Sequence, residues 1–99
     1  MRVDNASADL KNQLVPDTSR IEQGVQYSQY QHDGIVFRNQ EGILPDQLYG
    51  YYREWVVPTL GENSPGTQRI ITGGVLSDGR YEEMYYTAWH YMLSFFKLY

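Results

Sequence analysis

The stretch "EWVVPTLGENSPGTQRIITGG", residues 54–74, consists of two apolar runs joined by a turn-forming loop. Both runs, residues 55–57 and 70–71, have the β-branched and aromatic composition typical of strands. The intervening "GENSPG" is rich in glycine, proline, asparagine and serine, which favour turns. Glu54 heads the first run and Arg69 heads the second. The stretch therefore predicts two strands joined by a loop, each with a charged side chain just before its apolar run.

Outward from this stretch, runs of strand composition continue from residue 34 to the end of the chain. Short turn-forming segments such as "SDGR" separate successive runs. Because short loops connect antiparallel neighbours, residues 34–99 are predicted to form an antiparallel meander. The predicted strands are residues 35–37, 49–57, 69–73, 81–87 and 91–98.

Residues 1–33 are predicted to form a helical cover. Leu10 and Leu14 are four residues apart, which places them on one face of a helix. Pro16 cannot continue that helix because it has no N–H, but it suits the first turn of a second helix. The second helix is predicted to begin at this proline or the next residue and to stop at Gly24. The candidate N-caps of the first helix are Asn5 and Ser7.

The length of 99 residues and the hydrophobic content of 41% predict one folded domain, residues 1–99. Its predicted class is α+β, with the helices packed on one face of the sheet and the other face open to water. The chain has no cysteine, so neither a disulfide framework nor a thiolate metal site is expected. No run approaches the roughly 18 apolar residues of a membrane span, which predicts a soluble protein.

The net charge of -4 argues against general binding of nucleic acid, because neutralising phosphates normally requires a basic face. Any chemistry on nucleic acid must then depend on local positive charge. The sequence also lacks paired histidines, a calcium loop, a Walker loop, a dinucleotide fingerprint and a serine nucleophile elbow. Neither a metal ion nor a cofactor is therefore expected.

Three polar residues in or near the predicted strands have two alternative interpretations. Glu54 and Arg69 are either a cross-strand ion pair on a solvated face, worth about 0.2 to 1 kcal/mol, or parts of a site. His90, in "AWHYM", is either a packed or surface histidine or a catalytic one. If the three side chains converge on one face, they supply a general base, an anion clamp and a general acid.

Four separated motifs favour the interpretation as a site. They are "DGIVFRNQEGILP", "YGYYREWVV", "GTQRIITGG" and "YYTAWHYMLSF", in this order. Together they resemble the bacterial guanyl-specific ribonucleases, the family of barnase, and the streptomycete branch in particular. The resemblance covers roughly residues 30–98 and implies the microbial ribonuclease fold.

The resemblance implies catalytic roles position by position. Glu54 matches the general base that removes the proton of the ribose 2′-hydroxyl, and His90 matches the general acid that protonates the leaving 5′-oxygen. Arg69 matches an arginine that binds the phosphate, and Tyr91 matches a tyrosine that lines the phosphate site. The implied reaction forms a 2′,3′-cyclic phosphate and then a 3′-phosphate, without a metal ion.

The resemblance also implies base recognition by "FRNQEG", residues 37–42. It places Phe37 in a stack with guanine, turns backbone N–H groups of the loop toward guanine O6, and makes Glu41 the acceptor for N1–H and the 2-amino group. The remaining loop residues in this substrate-binding set are Arg38, Asn39 and Gln40. In isolation the same string is typical of a surface turn.

This chain departs from the family pattern at the phosphate site. Pro65 stands where the family usually has a second phosphate-binding arginine, and Gln68 replaces a residue that tends to be basic. Arg80, in a longer loop after Gly73, is the candidate substitute, because a loop excursion would bring it to the same end of the sheet. The disulfide that ties the two ends together in the streptomycete relatives is absent.

The predicted function is a guanyl-preferring endoribonuclease that acts on single-stranded RNA. The alternative is a catalytically weak or inactive relative that binds guanine nucleotide, RNA or an inhibitor protein. The resemblance also implies a secreted monomer, or the toxin module of a larger protein, with a barstar-like inhibitor as a candidate partner. Cleavage of the dinucleotide GpC distinguishes the two functions.

Overall fold

The computed structural model describes residues 2–59, 61, 64–88 and 94–99, which form two short helices and a six-stranded sheet. The order of strands in the sheet is β1-β6-β5-β4-β3-β2. This arrangement confirms the α+β architecture predicted from the sequence. The helices are α1 (Ala8–Gln13) and α2 (Val15–Glu22), and the strands are β1 (Arg2–Asn5), β2 (Ile35–Val36), β3 (Tyr52–Val56), β4 (Arg69–Val75), β5 (Tyr81–Thr87) and β6 (Ser94–Lys97).

The residues at the ends of both helices explain where each helix begins and ends. The N–H of Leu10 donates to Ser7 Oγ at 3.1 Å, which caps the start of α1. Leu14 separates the two helices, and Pro16 lies in the first turn of α2. Gly24 follows α2 with a φ of +73°, a left-handed conformation that glycine adopts without strain. The predicted break at the proline is confirmed.

The prediction that residues 1–33 form a helical cover is wrong at both ends of the segment. Strand β1 pairs in parallel with β6, so that Val3 is the partner of Phe95. Residues 25–33 form turns and irregular backbone rather than helix. A strand of four residues is too short to show a pattern, and its pairing partner lies at the other end of the chain. Local periodicity therefore gives no sign of it.

The remaining strands pair antiparallel in chain order, from β2 to β6, as predicted. The predicted strand 49–57 begins only at Tyr52, because Tyr49 and Gly50 form a turn. Strand β4 continues two residues beyond the predicted end at residue 73. Strand β6 covers residues 94–97 of the predicted strand 91–98, whose first three residues lie outside the described ranges.

Apolar side chains are buried on both faces of the sheet, since side chains alternate along each strand. The face that contacts the helices includes Leu14, Ile21, Trp55, Ile70, Met84 and Tyr86. The other face includes Leu44, Tyr52, Ile71, Tyr85 and Phe95, with Phe37 and Ile43 packed against them. The second face was predicted to be open to water, but the segment 37–44 covers part of it. Glu54 lies on this second face, because it is the cross-strand partner of Ile71.

Asp33 attaches the turn before β2 to the rest of the fold. Its carboxylate accepts the N–H of Val56 at 2.8 Å and Arg20 Nη1 at 2.9 Å, and the residue is only 4% exposed. Gly34, the next residue, donates its N–H to the carbonyl oxygen of Glu54 at 2.8 Å. These bonds hold the turn directly against β3.

No helix in the described ranges is long and apolar enough to cross a membrane.

Candidate active site

Glu54 and Arg69 meet on the second face of the sheet. Glu54 lies in the middle of β3, and Arg69, the first residue of β4, pairs with Val56 two residues further along β3. The two side chains are therefore diagonal neighbours on one face. Arg69 Nε lies 3.6 Å from Glu54 Oε2, and the side chains are 6% and 19% exposed, respectively. This contact is compatible with both interpretations of the sequence, a cross-strand ion pair and part of a site.

The guanidinium of Arg69 is only partly satisfied by the protein. Its Nη1 donates to the carbonyl oxygens of Gly66 at 3.1 Å and Gln68 at 2.8 Å. Its Nε is buried and has no hydrogen-bond partner among the described residues, because 3.6 Å to the carboxylate is beyond hydrogen-bond length. A buried N–H donor without an acceptor costs free energy unless a ligand supplies one. The unsatisfied donor makes this position suitable for an anion.

The carboxyl of Glu54 has a pKa that is raised by burial, while the nearby charges of Arg69 and His32 act in the opposite direction. Burial disfavours the charged form, so desolvation outweighs the attraction of the two cations. A carboxylate with a raised pKa is a stronger base than an exposed glutamate. It is therefore better suited to accept a proton from a hydroxyl near neutral pH.

His32 is the functional candidate that sequence reasoning missed. It lies in the exposed turn before β2, close enough to Glu54 for its charge to lower the pKa of that carboxyl. Its neighbour in sequence, Asp33, is bound to β3 as described above. The pairing of β2 with β3 brings His32 near the site, and the sequence pattern does not reveal which strand lies beside which.

His90 and Tyr91 lie outside the described residues, so their predicted roles stay predictions. Strand β5 ends at Thr87, which is the pairing partner of Arg69. The chain thus enters the segment that contains His90 from a point directly beside the site.

The predicted base-recognition residues and Glu54 line one open pocket of about 280 Å³. The structure therefore brings the loop that the resemblance assigns to guanine next to the carboxylate that it assigns to catalysis. Arg69 is adjacent to this pocket through its contact with Glu54. The lining residues are Val36, Phe37, Arg38, Asn39, Gln40, Glu41 and Glu54.

The side chain of Asn39 stabilises the conformation of the loop at residues 37–44 through hydrogen bonds to its backbone. Its φ of +54° is in the left-handed region, which asparagine tolerates better than most residues. Its side-chain Nδ2 donates to the carbonyl of Leu44 at 2.9 Å, and its Oδ1 accepts the N–H of Leu44 at 3.3 Å. The carbonyl of Asn39 also accepts the N–H of Gly42 at 3.0 Å. The side-chain amide therefore fixes the loop conformation, and any contact with a base would come from its backbone.

The aromatic floor of the pocket is provided by Phe37. Its ring makes edge contacts with Tyr52 and Phe95, at centroid distances of 6.4 and 6.3 Å. At the rim, the guanidinium of Arg38 lies 6.0 Å from the centroid of the Tyr49 ring, which is 76% exposed. The pocket thus has a packed aromatic side chain, Phe37, and an exposed cationic side chain, Arg38.

The prediction that Arg80 replaces the missing phosphate-binding arginine is wrong. Arg80 lies in the β4–β5 hairpin, where its carbonyl accepts the N–H of Leu76 and its Nε contacts Asp78 at 2.8 Å. The hairpin closes the far end of β4, and the six residue steps from Arg69 to Val75 span about 20 Å. The loop turns tightly on itself and makes no excursion toward the site.

Gln68 does not replace a phosphate contact in this structure. Its Oε1 accepts the hydroxyl of Tyr86 at 2.6 Å, and its Nε2 donates to Thr59 Oγ1 at 3.2 Å. Tyr86 belongs to the cluster on the helix face, opposite to Glu54. These two hydrogen bonds therefore connect the β3–β4 connection to β5.

In the described ranges, no group of three or more histidine, cysteine, aspartate or glutamate residues is arranged to hold a metal ion.

An α+β domain with a carboxylate and a guanidinium beside an open pocket is the arrangement that the resemblance to the ribonucleases predicts. The ribonuclease family model matches residues 3–98, and the chain belongs to that family. This match confirms the resemblance of the four motifs to the ribonuclease family.

Several characterised relatives are guanyl-specific enzymes. The chain is 50% identical over 62 residues to guanyl-specific ribonuclease Sa of Kitasatospora aureofaciens, a match covering 63% of this chain and 59% of that protein. It is 42% identical over 84 residues to guanyl-specific ribonuclease St of Saccharopolyspora erythraea, with 85% and 76% covered. The match thus spans less than two thirds of the length of ribonuclease Sa.

Solved structures of ribonuclease Sa2 have the same fold. A structure of its complexes with mononucleotides has a TM-score of 0.71 and 36% sequence identity, over 87% of this chain and 81% of that one. A structure of ribonuclease Sa2 with 3′-GMP has a TM-score of 0.68 and 34% identity, over 87% and 83%.

Proposed function

We propose that this chain is a guanyl-preferring endoribonuclease that cleaves single-stranded RNA. The observation that carries the proposal is the meeting of Glu54 and Arg69 at the pocket lined by residues 37–41. One pocket thereby joins a base-recognition loop to a proton acceptor and an anion-binding group. The guanyl specificity of ribonucleases Sa and St, and the complex of ribonuclease Sa2 with 3′-GMP, support the same substrate class.

The proposed reaction begins at the ribose of the recognised nucleotide. Glu54 accepts the proton of the 2′-hydroxyl, and the 2′-oxygen forms a bond to the adjacent phosphorus. The bond from phosphorus to the 5′-oxygen of the next nucleotide breaks, and His90 donates a proton to that oxygen. The products are a 2′,3′-cyclic phosphate and a free 5′-hydroxyl. Water then opens the ring with the two roles exchanged, which leaves a 3′-phosphate.

Arg69 stabilises the charge that develops on the phosphate oxygens. Its buried Nε–H has no acceptor in the described structure, so a phosphate oxygen in this position would remove an unsatisfied donor. A preorganised donor in a water-poor site is worth more in the transition state than in solution.

Guanine is selected by the loop that Asn39 holds in shape. Glu41 lines the pocket and can accept two hydrogen bonds from guanine N1–H and its 2-amino group. Adenine has neither the N1–H donor nor the O6 acceptor. It would leave the carboxylate and the loop N–H groups unpaired, and such mismatches discriminate strongly.

A second candidate function is nucleotide or RNA binding with weak catalysis. The observation that favours it is that Arg69 Nη1 donates to two carbonyls of its own loop, which also contains the uncharged Pro65. Fewer positive donors then remain to stabilise the transition state. This candidate predicts tight binding of guanine nucleotides with slow turnover.

The experiment is incubation with GpC and measurement of guanosine 2′,3′-cyclic phosphate, with ApC as the substrate control and Glu54→Gln as the variant control. We expect wild type to form the cyclic phosphate from GpC and to form much less cyclic product from ApC. We expect the Glu54→Gln variant to form little product from GpC. Binding of guanosine without product would support the second candidate. Neither binding nor product would contradict both.

The family resemblance is also the basis for proposing where this chain acts and with which partners. A secreted monomer and the toxin module of a larger protein are the two forms that it supports. An enzyme of this kind that reaches the cytosol of its producer requires an inhibitor protein, of the barstar type, because uncontrolled RNA cleavage is lethal. Light scattering on the purified chain tests the monomeric state.

A further inference from the structure

Glu83, in β5, accepts the hydroxyl groups of two tyrosines on the second face of the sheet. Its Oε2 accepts the hydroxyl of Tyr51 at 2.6 Å, and its Oε1 accepts the hydroxyl of Tyr85. Burial, followed by the hydrogen bonds to Glu83, raises the pKa of both hydroxyls, so they remain protonated donors. A glutamine at this position would offer only one acceptor oxygen. One carboxylate thus fixes the direction of two aromatic rings.

The two tyrosines lead to the same residue of the pocket, Phe37. Tyr51 makes an edge contact with Tyr52 at a centroid distance of 4.8 Å. Tyr85 makes an edge contact with Phe95 at 6.4 Å. Tyr52 and Phe95 are the two rings against which Phe37 packs. These five rings, called the aromatic cluster below, are Tyr51, Tyr52, Phe37, Phe95 and Tyr85.

Gly73, in β4, leaves the space that part of the aromatic cluster occupies. It pairs with Tyr52 of β3 on one side and with Glu83 of β5 on the other, so the three residues lie in one row across the sheet. A Cβ atom at position 73 would lie 2.6 Å from the ring of Tyr51 and 3.0 Å from that of Tyr52, which is closer than favourable van der Waals contact. The missing side chain therefore allows Tyr51 to reach across β4 to Glu83.

The orientation of the Phe37 ring matters to a base that enters the pocket. Phe37 is half-buried and lines the pocket beside Glu41. A ring that is already fixed loses little rotational freedom when a base packs on it, so binding costs less free energy. The two rings behind it, Tyr52 and Phe95, are only 3% and 5% exposed. Their neighbours in the cluster are the tyrosines that Glu83 holds.

We propose that Glu83 is a positioning residue for base recognition, because it holds Phe37 in place through the two tyrosine branches of the aromatic cluster. The proposal rests on the proposed function, since it takes Phe37 as the ring that contacts guanine. Glu83 acts through the cluster and not on the phosphate. Loss of its carboxylate should therefore weaken binding of the base and leave the groups that act on the phosphate unchanged.

The test measures the dissociation constant of guanosine by NMR titration for wild type, Glu83→Gln, Tyr51→Phe and Tyr85→Phe. Guanosine carries no phosphate, so a change in net charge does not act on it directly. Glu83→Gln should weaken guanosine binding about three- to tenfold, and each phenylalanine variant should weaken it by a smaller factor. Binding of inorganic phosphate should not weaken in any of them. With GpC as substrate, KM should rise in Glu83→Gln while kcat changes little.

Thr72→Val is the matched control for stability. Thr72 Oγ1 accepts the indole N–H of Trp55 at 2.9 Å, on the face that contacts the helices. Loss of this acceptor should lower Tm and leave guanosine binding at the wild-type value. All titrations are made well below the lowest Tm of the set. An equal loss of guanosine affinity in Thr72→Val and Glu83→Gln would show a general loosening of the fold and would overturn the proposal.

Two further variants test the route through Phe37. In a Phe37→Leu background, Glu83→Gln should have little additional effect on guanosine binding, because the ring that it positions is absent. A loss by the same factor in that background would mean that Glu83 affects the base by another route, which contradicts the proposal. Gly73→Ala should displace the tyrosine rings without changing any charge, and it should weaken guanosine binding as Glu83→Gln does. Wild-type affinity in Gly73→Ala would also count against the proposal.

Failure of this proposal and failure of the proposed function give different results. Unchanged guanosine binding in Glu83→Gln refutes the role of Glu83, even if wild type cleaves GpC. If wild type binds guanosine without cleaving GpC, and Glu83→Gln binds guanosine more weakly, the role of Glu83 is supported and the catalytic assignment is refuted. A wild type that does not bind guanosine refutes both.

Discussion

Arg69 Nε lies 3.6 Å from Glu54 Oε2, close enough for an ion pair and too far for a hydrogen bond. Both side chains are mostly buried, so salt screens their attraction less than it would on the surface. Catalytic hydrogen bonds are often long before substrate binds and tighten in the complex. We interpret the pair as a site prepared for a phosphate oxygen rather than as a salt bridge that stabilises the fold.

Substituting Glu54→Gln should lower kcat for GpC by about 10² to 10⁴, because the amide cannot accept the proton of the 2′-hydroxyl. Wild-type activity should also fall as the pH decreases through the raised pKa of Glu54, since only the carboxylate is a base. Initial rates across a pH series check both points. A flat pH profile together with a fully active variant would show that another group is the base.

The same substitution should stabilise the fold at neutral pH. The pKa of Glu54 is raised in the folded protein, so its contribution to stability is fully present below the unfolded pKa and is lost as the pH rises through the folded pKa. Glutamine mimics the protonated form at every pH. Thermal melts should therefore show a higher Tm for Glu54→Gln at pH 7, with the difference vanishing in acid.

Glu41→Gln is the matched control for these melts, because Glu41 is exposed in the recognition loop. It should show no comparable gain in Tm at pH 7. A gain of similar size in both variants would mean that removing any negative charge stabilises this acidic chain.

Glu41→Ala should reduce cleavage after guanosine far more than the slower cleavage after other bases. The carboxylate is the group that guanine N1–H and its 2-amino group would engage, and the other bases do not present this pair of donors in the same way. Relative kcat/KM values for GpC, ApC and UpC measure the change. Equal losses on all three would show that the loop is only a turn.

Pro65→Arg should raise kcat/KM for GpC by roughly ten- to a hundredfold, because a charge-assisted contact to phosphate is worth about 1.5 to 3 kcal/mol. Arg80→Ala is the matched charge control and should leave the rate unchanged, since Arg80 lies at the far end of β4. A large loss in Arg80→Ala would contradict the hairpin position of this residue.

The fold and part of the site were predictable because their signals are local. The break between α1 and α2 at Pro16, the turn residues between strands and the charged residues Glu54 and Arg69 can all be read from neighbouring residues. Strand β1, His32 and the position of Arg80 were not, because each depends on which segments lie side by side. Parallel pairing of the first and last strands, the contact of β2 with β3 and the closure of a hairpin are decided by tertiary packing.

The pairing of β1 with β6 has a consequence for the order of events during synthesis. Val3 and Phe95 are far apart in the sequence, so this contact has a large sequence separation. Contacts between residues so far apart in sequence slow folding, because a long loop must close before they form. A nascent chain cannot complete its sheet until its last strand has left the ribosome. If RNA is the substrate, the complete fold of the enzyme forms only after residues 94–97 have emerged.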